Sequence, residues 1–202
     1  MEISECPLCG AAAKPSDKKC NYCKSEFFVT SIAYLGNMDS GSFNKYLKYY
    51  KELINKEPNN TEGLLGLGLC YLQMGTYPLA QKCFEQIIEH SPEISQSYYY
   101  FTLSFIKGRR LMSISLKEAK LIETYLNTAI QLDDSVPQYK LLLAMLKRDY
   151  FEMNGLKVQP PCFSDILNNI QGSEISKKEI ERLFDSIKVG SQQLFLSNLV
   201  LV

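Results

Sequence analysis

Residues 61–94 read TEGLLGLGLCYLQMGTYPLAQKCFEQIIEHSPEI, and the fold turns on this stretch because its pattern recurs. A backward step of 34 residues carries Gly75, Tyr77, Phe84, Ile87 and Pro92 onto Gly41, Phe43, Tyr50, Leu53 and Pro58. Small, aromatic, apolar and proline characters are preserved at their positions. One such coincidence carries little weight, but five in a single register mark an internal repeat, and periods of this length belong to stacked supersecondary units.

The stretch resembles a tetratricopeptide repeat. That family asks for large apolar, small and aromatic residues on a first helix, then small, aromatic and apolar ones on a second, with a closing proline. The chain supplies Leu64, Leu67, Gly68 and Tyr71, then Ala80, Phe84 and Ile87, then Pro92, with Gly75 and Tyr77 at the turn. Small residues such as Gly68 and Ala80 allow two helices to approach closely, and the aromatics fill the gap between successive hairpins. The resemblance implies a mainly all-α fold, an α-α superhelix of about three repeats.

Outward from this repeat, SFNKYLKYYKELINK is expected to be the second helix of an earlier, incomplete unit. Its first helix, around residues 28–38, is weakened by Gly36 and Asn37. Forward, Tyr98, Phe101, Thr102 and Phe105 fall on a first helix. Leu126 and Ala129 fall on a second if about eight residues near KGRRLMSI are inserted. A further first helix follows Pro137, with Leu143 and Ala144 at the large and small positions. Pro160 and Pro161 break the chain, because the residue before a proline avoids the helix. Two shorter helices are expected beyond them, one started by a capping box of Ser176 and Glu179. The expected organisation is a ribbon over 1–27, repeats over 28–155 and capping helices over 156–202.

Four of the seven cysteines lie within eighteen residues: Cys6, Cys9, Cys20 and Cys23, a CxxC, ten intervening residues, and a second CxxC. Each pair can turn back and offer two thiolates to one ion, so together they supply the tetrahedral sulfur set that zinc favours in structural sites. Gly10 permits a tight first knuckle; the second pair is followed by Lys24. The segment CPLCG…CNYC resembles the short zinc ribbon found at the N-termini of many bacterial proteins, though the second knuckle lacks that family's proline and glycine. The expected cofactor is one structural Zn2+. An iron site, a redox dithiol and a ribbon without metal are the alternatives. Four sulfur ligands leave no open position for water or substrate, which disfavours catalytic zinc.

Composition narrows the function. Hydrophobic residues make up 46% of the 202, as in a folded globular protein, and 22 basic residues balance 22 acidic ones. No bulk charge therefore draws the chain to nucleic acid or an anionic membrane. Residues 1–26 are themselves neutral, with Lys14, Lys18, Lys19 and Lys24 against Glu2, Glu5, Asp17 and Glu26. The start of the chain has no signal-peptide pattern, and LFLSNLVLV is far shorter than the roughly 20 residues of a membrane helix. A cytoplasmic location is expected, where cysteines serve as metal ligands or buried thiols.

In the repeat family, first-helix positions line an inner face that holds a partner peptide. Here those positions are Leu65, Leu69 and Leu72, then Tyr99, Leu103 and Ile106, then Leu141 and Met145. The resemblance thus implies an apolar groove for a partner protein's peptide or amphipathic helix, unless residues 175–202, with Ile180, Leu183 and Ile187, fold back to fill it. Lys107, Arg109 and Arg110 form a basic spot, either a solvated loop or a contact for an acidic partner. His90 suits a helix C-terminus, and Asp133 and Asp134 suit a turn. Cys70, Cys83 and Cys162 read as small buried residues. No nucleophile elbow, phosphate loop or HExxH helix is present. The expectation is a non-enzymatic adaptor or scaffold. A nucleic-acid regulator acting through the ribbon is the alternative, and a redox sensor acting through its thiols is a third reading.

Overall fold

The computed structural model describes residues 5–14, 18–29, 31–170, 174–188 and 200–201. It is mainly helical and divides into two compact units, Met1–Ser91 and Pro92–Val202. Among the described residues, no helix is long and apolar enough to cross a membrane.

The first unit carries the cysteine module and four helices: α1 (Ile32–Leu35), α2 (Ser40–Lys56), α3 (Thr61–Gln73) and α4 (Tyr77–His90). The degenerate first helix expected over 28–38 is the single turn α1, ended at Gly36. Asp39 and Asn60 cap α2 and α3 by accepting from the amides of Ser42 and Gly63, satisfying donors that a helix start leaves without partners. Proline follows at the start of α4, where its missing N–H costs nothing. Gly75 turns the chain between α3 and α4 with φ +71°, a conformation most side chains resist.

Close approach, as expected from the small residues, organises this unit. α3 lies between α2 and α4. A Cβ on Gly68 would come within 2.6 Å of the Phe84 ring, and one on Gly66 within 2.3 Å of the Tyr50 ring. Phe84 and Tyr50 occupy equivalent places in the repeat, and both are fully buried. On the rim, the Gln86 amide donates to the Pro58 carbonyl at 2.8 Å, so α4 also pins the turn between α2 and α3.

The second unit holds α5 (Ser95–Ile106), α6 (Leu116–Leu132), α7 (Pro137–Leu146), α8 (Phe163–Ile170) and α9 (Lys177–Ile187). Successive pairs pack as hairpins: α5 on α6, α6 on α7, α7 on α8. Leu126, Ala129, Leu143 and Ala144 are buried at the positions the repeat register assigns them. Between α7 and α8 the helix widens into a π-turn, Lys147–Glu152. The Lys147 ammonium is buried there, paired with Glu123 and donating to the Gln159 carbonyl at 2.7 Å. A short parallel pair joins β1 (Glu174–Ile175) to β2 (Val200–Leu201). Most of the terminal stretch QQLFLSNLVLV lies outside the described residues.

Two local expectations are corrected. Ser176 makes no side-chain cap, and the Glu179 carboxylate accepts from the Gln138 side chain on α7. The capping box sits at Ser115 and Glu118, starting α6. Cys162 is only half-buried, its thiol 2.9 Å from an Asp165 carboxylate oxygen. By contrast, Cys70 and Cys83 are buried, and burial raises both thiols to about 12.

Candidate metal centre

Each CxxC closes the same small turn. Gly10 N–H donates to the Cys6 carbonyl and Lys24 N–H to the Cys20 carbonyl, both at 2.9 Å. Cys6 N–H and Cys20 N–H donate to the Ala11 and Ser25 carbonyls, both at 2.8 Å. Both turns require a left-handed residue, and Lys24 adopts φ +61° where Gly10 has φ +71°. The absent glycine is therefore absorbed by a strained lysine, whose ammonium donates to the Asn21 carbonyl at 2.8 Å.

The two knuckles face each other, and all four Sγ atoms lie within 4.8 Å of one another. Cys6 and Cys23, and likewise Cys9 and Cys20, stand 3.6 Å apart, each pair drawing one sulfur from each knuckle. A tetrahedron with metal–sulfur bonds of about 2.3 Å has edges of roughly 3.8 Å, so the donor set fits a single four-coordinate ion. Cys6 and Cys20 are buried against Phe27, with Leu8, Ala11, Ala13 and Phe28 packed around them, while Cys9 and Cys23 face outward. The Ser25 hydroxyl lies 2.9 Å from Cys23 Sγ and 3.4 Å from Cys6 Sγ. That hydrogen bond holds the Cys23 thiol down, to about 6, while the Cys9 thiol, against the lowering Ala11 amide, is pushed up to about 12 by desolvation and the neighbouring sulfurs, so the crowded thiols share their protons unequally.

The module is docked through tyrosine hydroxyls. Glu26 N–H donates to the Tyr34 hydroxyl at 2.9 Å, and the Tyr46 hydroxyl donates to the Glu26 carbonyl. The two phenol oxygens are 3.4 Å apart. Since the Tyr46 proton is committed to the carbonyl, Tyr34 must be the donor between them, and a closed ring of three hydrogen bonds surrounds the Glu26 peptide. One turn further along α2, the Tyr50 hydroxyl accepts from Val29 N–H at 2.7 Å. Tyr46 and Tyr50 are fully buried, and burial pushes both phenols well above the ordinary tyrosine range. Lys45 adds a bond to the Leu8 carbonyl, inside the first knuckle, at 2.9 Å.

The structure thus assembles the four cysteines read from spacing. Ser25, Tyr34, Tyr46 and Lys45 escaped that reading, since none stands in a motif. The eight groove positions are placed differently from an open surface. Leu65, Leu69, Leu72, Tyr99, Leu103, Ile106, Leu141 and Met145 are all buried, at 8% exposure or less. In the second unit α9 packs on α5, with Ile180, Leu183, Phe184 and Ile187 buried, so the fold-back of this segment accounts for part of that cover. The basic spot is also partly spent: Arg109 pairs with Glu118 at 2.8 Å and donates to the Ile106 carbonyl at 3.0 Å. Lys107 and Arg110 remain exposed. His90 closes α4, and Asp133 accepts from the Ser135 amide at 3.1 Å in the turn between α6 and α7.

No protein-family model matches the chain, and no curated protein matches it.

Proposed function

We propose that the protein is a non-enzymatic adaptor whose tetratricopeptide-like helical pairs bind a partner protein and whose cysteine module holds one structural zinc ion. The observation that carries the metal half is the meeting of four sulfurs in two matching knuckles. Four thiolates in a tetrahedral set select zinc or iron among the common metals. Zinc is preferred because the paired knuckles resemble a zinc ribbon and the site needs no electron-transfer role to explain it. Bound there, zinc would cross-link the knuckles and supply no reactive position.

The adaptor half rests on architecture: tandem helical pairs packed through small residues build extended faces suited to protein recognition. With all eight groove positions buried, a partner must engage residues outside that set or displace a covering segment. Alanine at Leu69 or Tyr99 would therefore report core stability more than binding.

Two measurements test the reading. Elemental analysis of the purified chain should find one zinc per molecule, lost in a Cys9→Ser/Cys23→Ser variant; a site filled by iron alone would replace zinc in the proposal. Cross-linking in the native host, with cross-linked residues mapped, should give a stoichiometric protein partner attached to the helical pairs. Retention on mixed nucleic acid that falls steeply with salt, through release of counterions, would instead favour a nucleic-acid regulator.

A further inference from the structure

The chain passes from the cysteine cluster into the helical core through residues 25–29 and 31–35, and Lys45 on α2 adds a bond to the Leu8 carbonyl. At the start of this passage, the Ser25 hydroxyl touches one sulfur from each knuckle. Next, the Glu26 peptide has both its polar groups consumed by Tyr34 and Tyr46. Val29 is tied to Tyr50, whose ring fills the space left by Gly66 on α3. At its end lies α1, which carries Tyr34 and buries Ile32 and Leu35 while packing on α3.

A four-residue helix has no stability of its own, because nucleation is not repaid by so few hydrogen bonds. Its place on α3 depends on the tether that precedes it and on two buried side chains. The tether in turn has its position set by the second knuckle, which the metal would hold closed.

We infer that metal occupancy of the cysteine site governs whether α1 stays on α3, making the ribbon a metal-responsive cover for the first helical hairpins. With the ion bound, Ser25 and Glu26 are held in line and α1 is clamped through Tyr34. Without it, the knuckle opens, the ring of hydrogen bonds around Glu26 loses its peptide, and α1 detaches while α3 and α4 stay paired. This rests on the metal reading proposed above.

Cys70, on α3 with no exposure, and Cys83, on α4, are internal reporters. The full chain is loaded with zinc, then stripped with a chelator. Hydrogen exchange is followed over 32–35, 61–73 and 77–90, and thiol labelling is mapped to each cysteine by mass spectrometry. Stripping should raise exchange across 32–35 and labelling of Cys70 at least tenfold, with 77–90 changing much less. Tyr34→Phe/Tyr46→Phe, which keeps the rings, should bind one zinc yet show part of that rise while loaded. A chain that binds one zinc but whose α1 exchange and Cys70 labelling ignore its removal overturns the coupling alone. Equal loss of protection in α1, α3 and α4 also overturns it, because the metal would then set global stability only. A chain that takes up no zinc overturns the metal reading and the coupling together.

Discussion

The two compact units hold their polar interiors by different means. In the first, buried polar groups converge on the cysteine module: a serine hydroxyl between sulfurs, and a peptide enclosed by two phenols. In the second, the Lys147–Glu123 pair lies beside a π-turn, with Lys147 at 5.7 Å from the Phe151 ring centroid. Small modules rarely bury enough apolar surface to stand unaided, and a metal makes up the deficit. A helical array of ordinary length supplies its own core and can accommodate a buried ion pair, which contributes less to stability than its burial suggests. The integrity of the cysteine module should therefore be conditional on chemistry, and that of the helical pairs in both units on packing.

The largest expected effect sharpens that contrast directly. Cys9→Ser/Cys23→Ser removes the two exposed ligands with little disturbance of packing. Structural zinc in finger peptides is worth about 10–16 kcal/mol of apparent binding energy. Calorimetry with hydrogen exchange should show the cysteine module and α1 losing most of their stability while the α3–α4 hairpin and the second unit's transition stay unmoved; a single transition shifted as a whole would break the comparison. Next, Lys147→Met leaves Glu123 without its cation. Breaking a buried pair costs about 3–5 kcal/mol, at the lower end here because the Glu123 side chain retains 19% exposure. The Lys147→Met/Glu123→Leu double variant should recover most of the loss in urea unfolding.

A smaller effect is expected at Gly66. Its methyl would enter the Tyr50 ring, and overpacking of this kind costs about 1–3 kcal/mol. Gly66→Ala should lower the urea midpoint and also raise exchange at Val29, whose amide Tyr50 holds; loss of stability without the Val29 response would separate helix packing from ribbon docking. The smallest effect concerns Ser115. Ser115→Ala removes a cap worth about 1 kcal/mol. Its partner Glu118 has its carboxyl lowered to about 2, first by the Arg109 hydrogen bond and then by the Ser115 amide. A lowered carboxyl stabilises the fold above its unfolded value of about 4.3. The contribution is lost as pH falls from there through about 2. Ser115→Ala keeps the Arg109 bond and the residue-115 amide, so its gap from the parent should stay at about 1 kcal/mol across pH, whereas the gap for Glu118→Gln should close as pH falls from 5 to 2.

How far each feature was readable follows from how local its cause is. The cysteine set was legible because four ligands at CxxC spacing satisfy one ion whatever surrounds them. The first hairpins were legible because Tyr50 and Phe84, or Leu53 and Ile87, recur at a fixed period of 34 residues, whereas Leu126 and Ala129 fell into register only across an insertion. The capping box at Ser115 and Glu118 carried its motif openly, but lay beside a segment read as insertion. The motif at Ser176 and Glu179 was equally open and did not form, and its glutamate accepts from Gln138 on α7 instead. Local signals of equal strength thus met different tertiary surroundings.

The repeat pattern and the cysteine spacing already carried the helical hairpins, their turns, and four thiols that come within reach of one another. These depend on short spacings, where backbone geometry leaves few choices. Only the tertiary structure decided that the cysteine module is docked through Tyr34, Tyr46 and Tyr50, that Lys147 finds Glu123 across 24 residues, and that the eight apolar face positions are covered. Those outcomes depend on partners far apart in the chain, and a tyrosine or leucine at a given register looks the same whether its face meets water, a neighbour, or the chain itself.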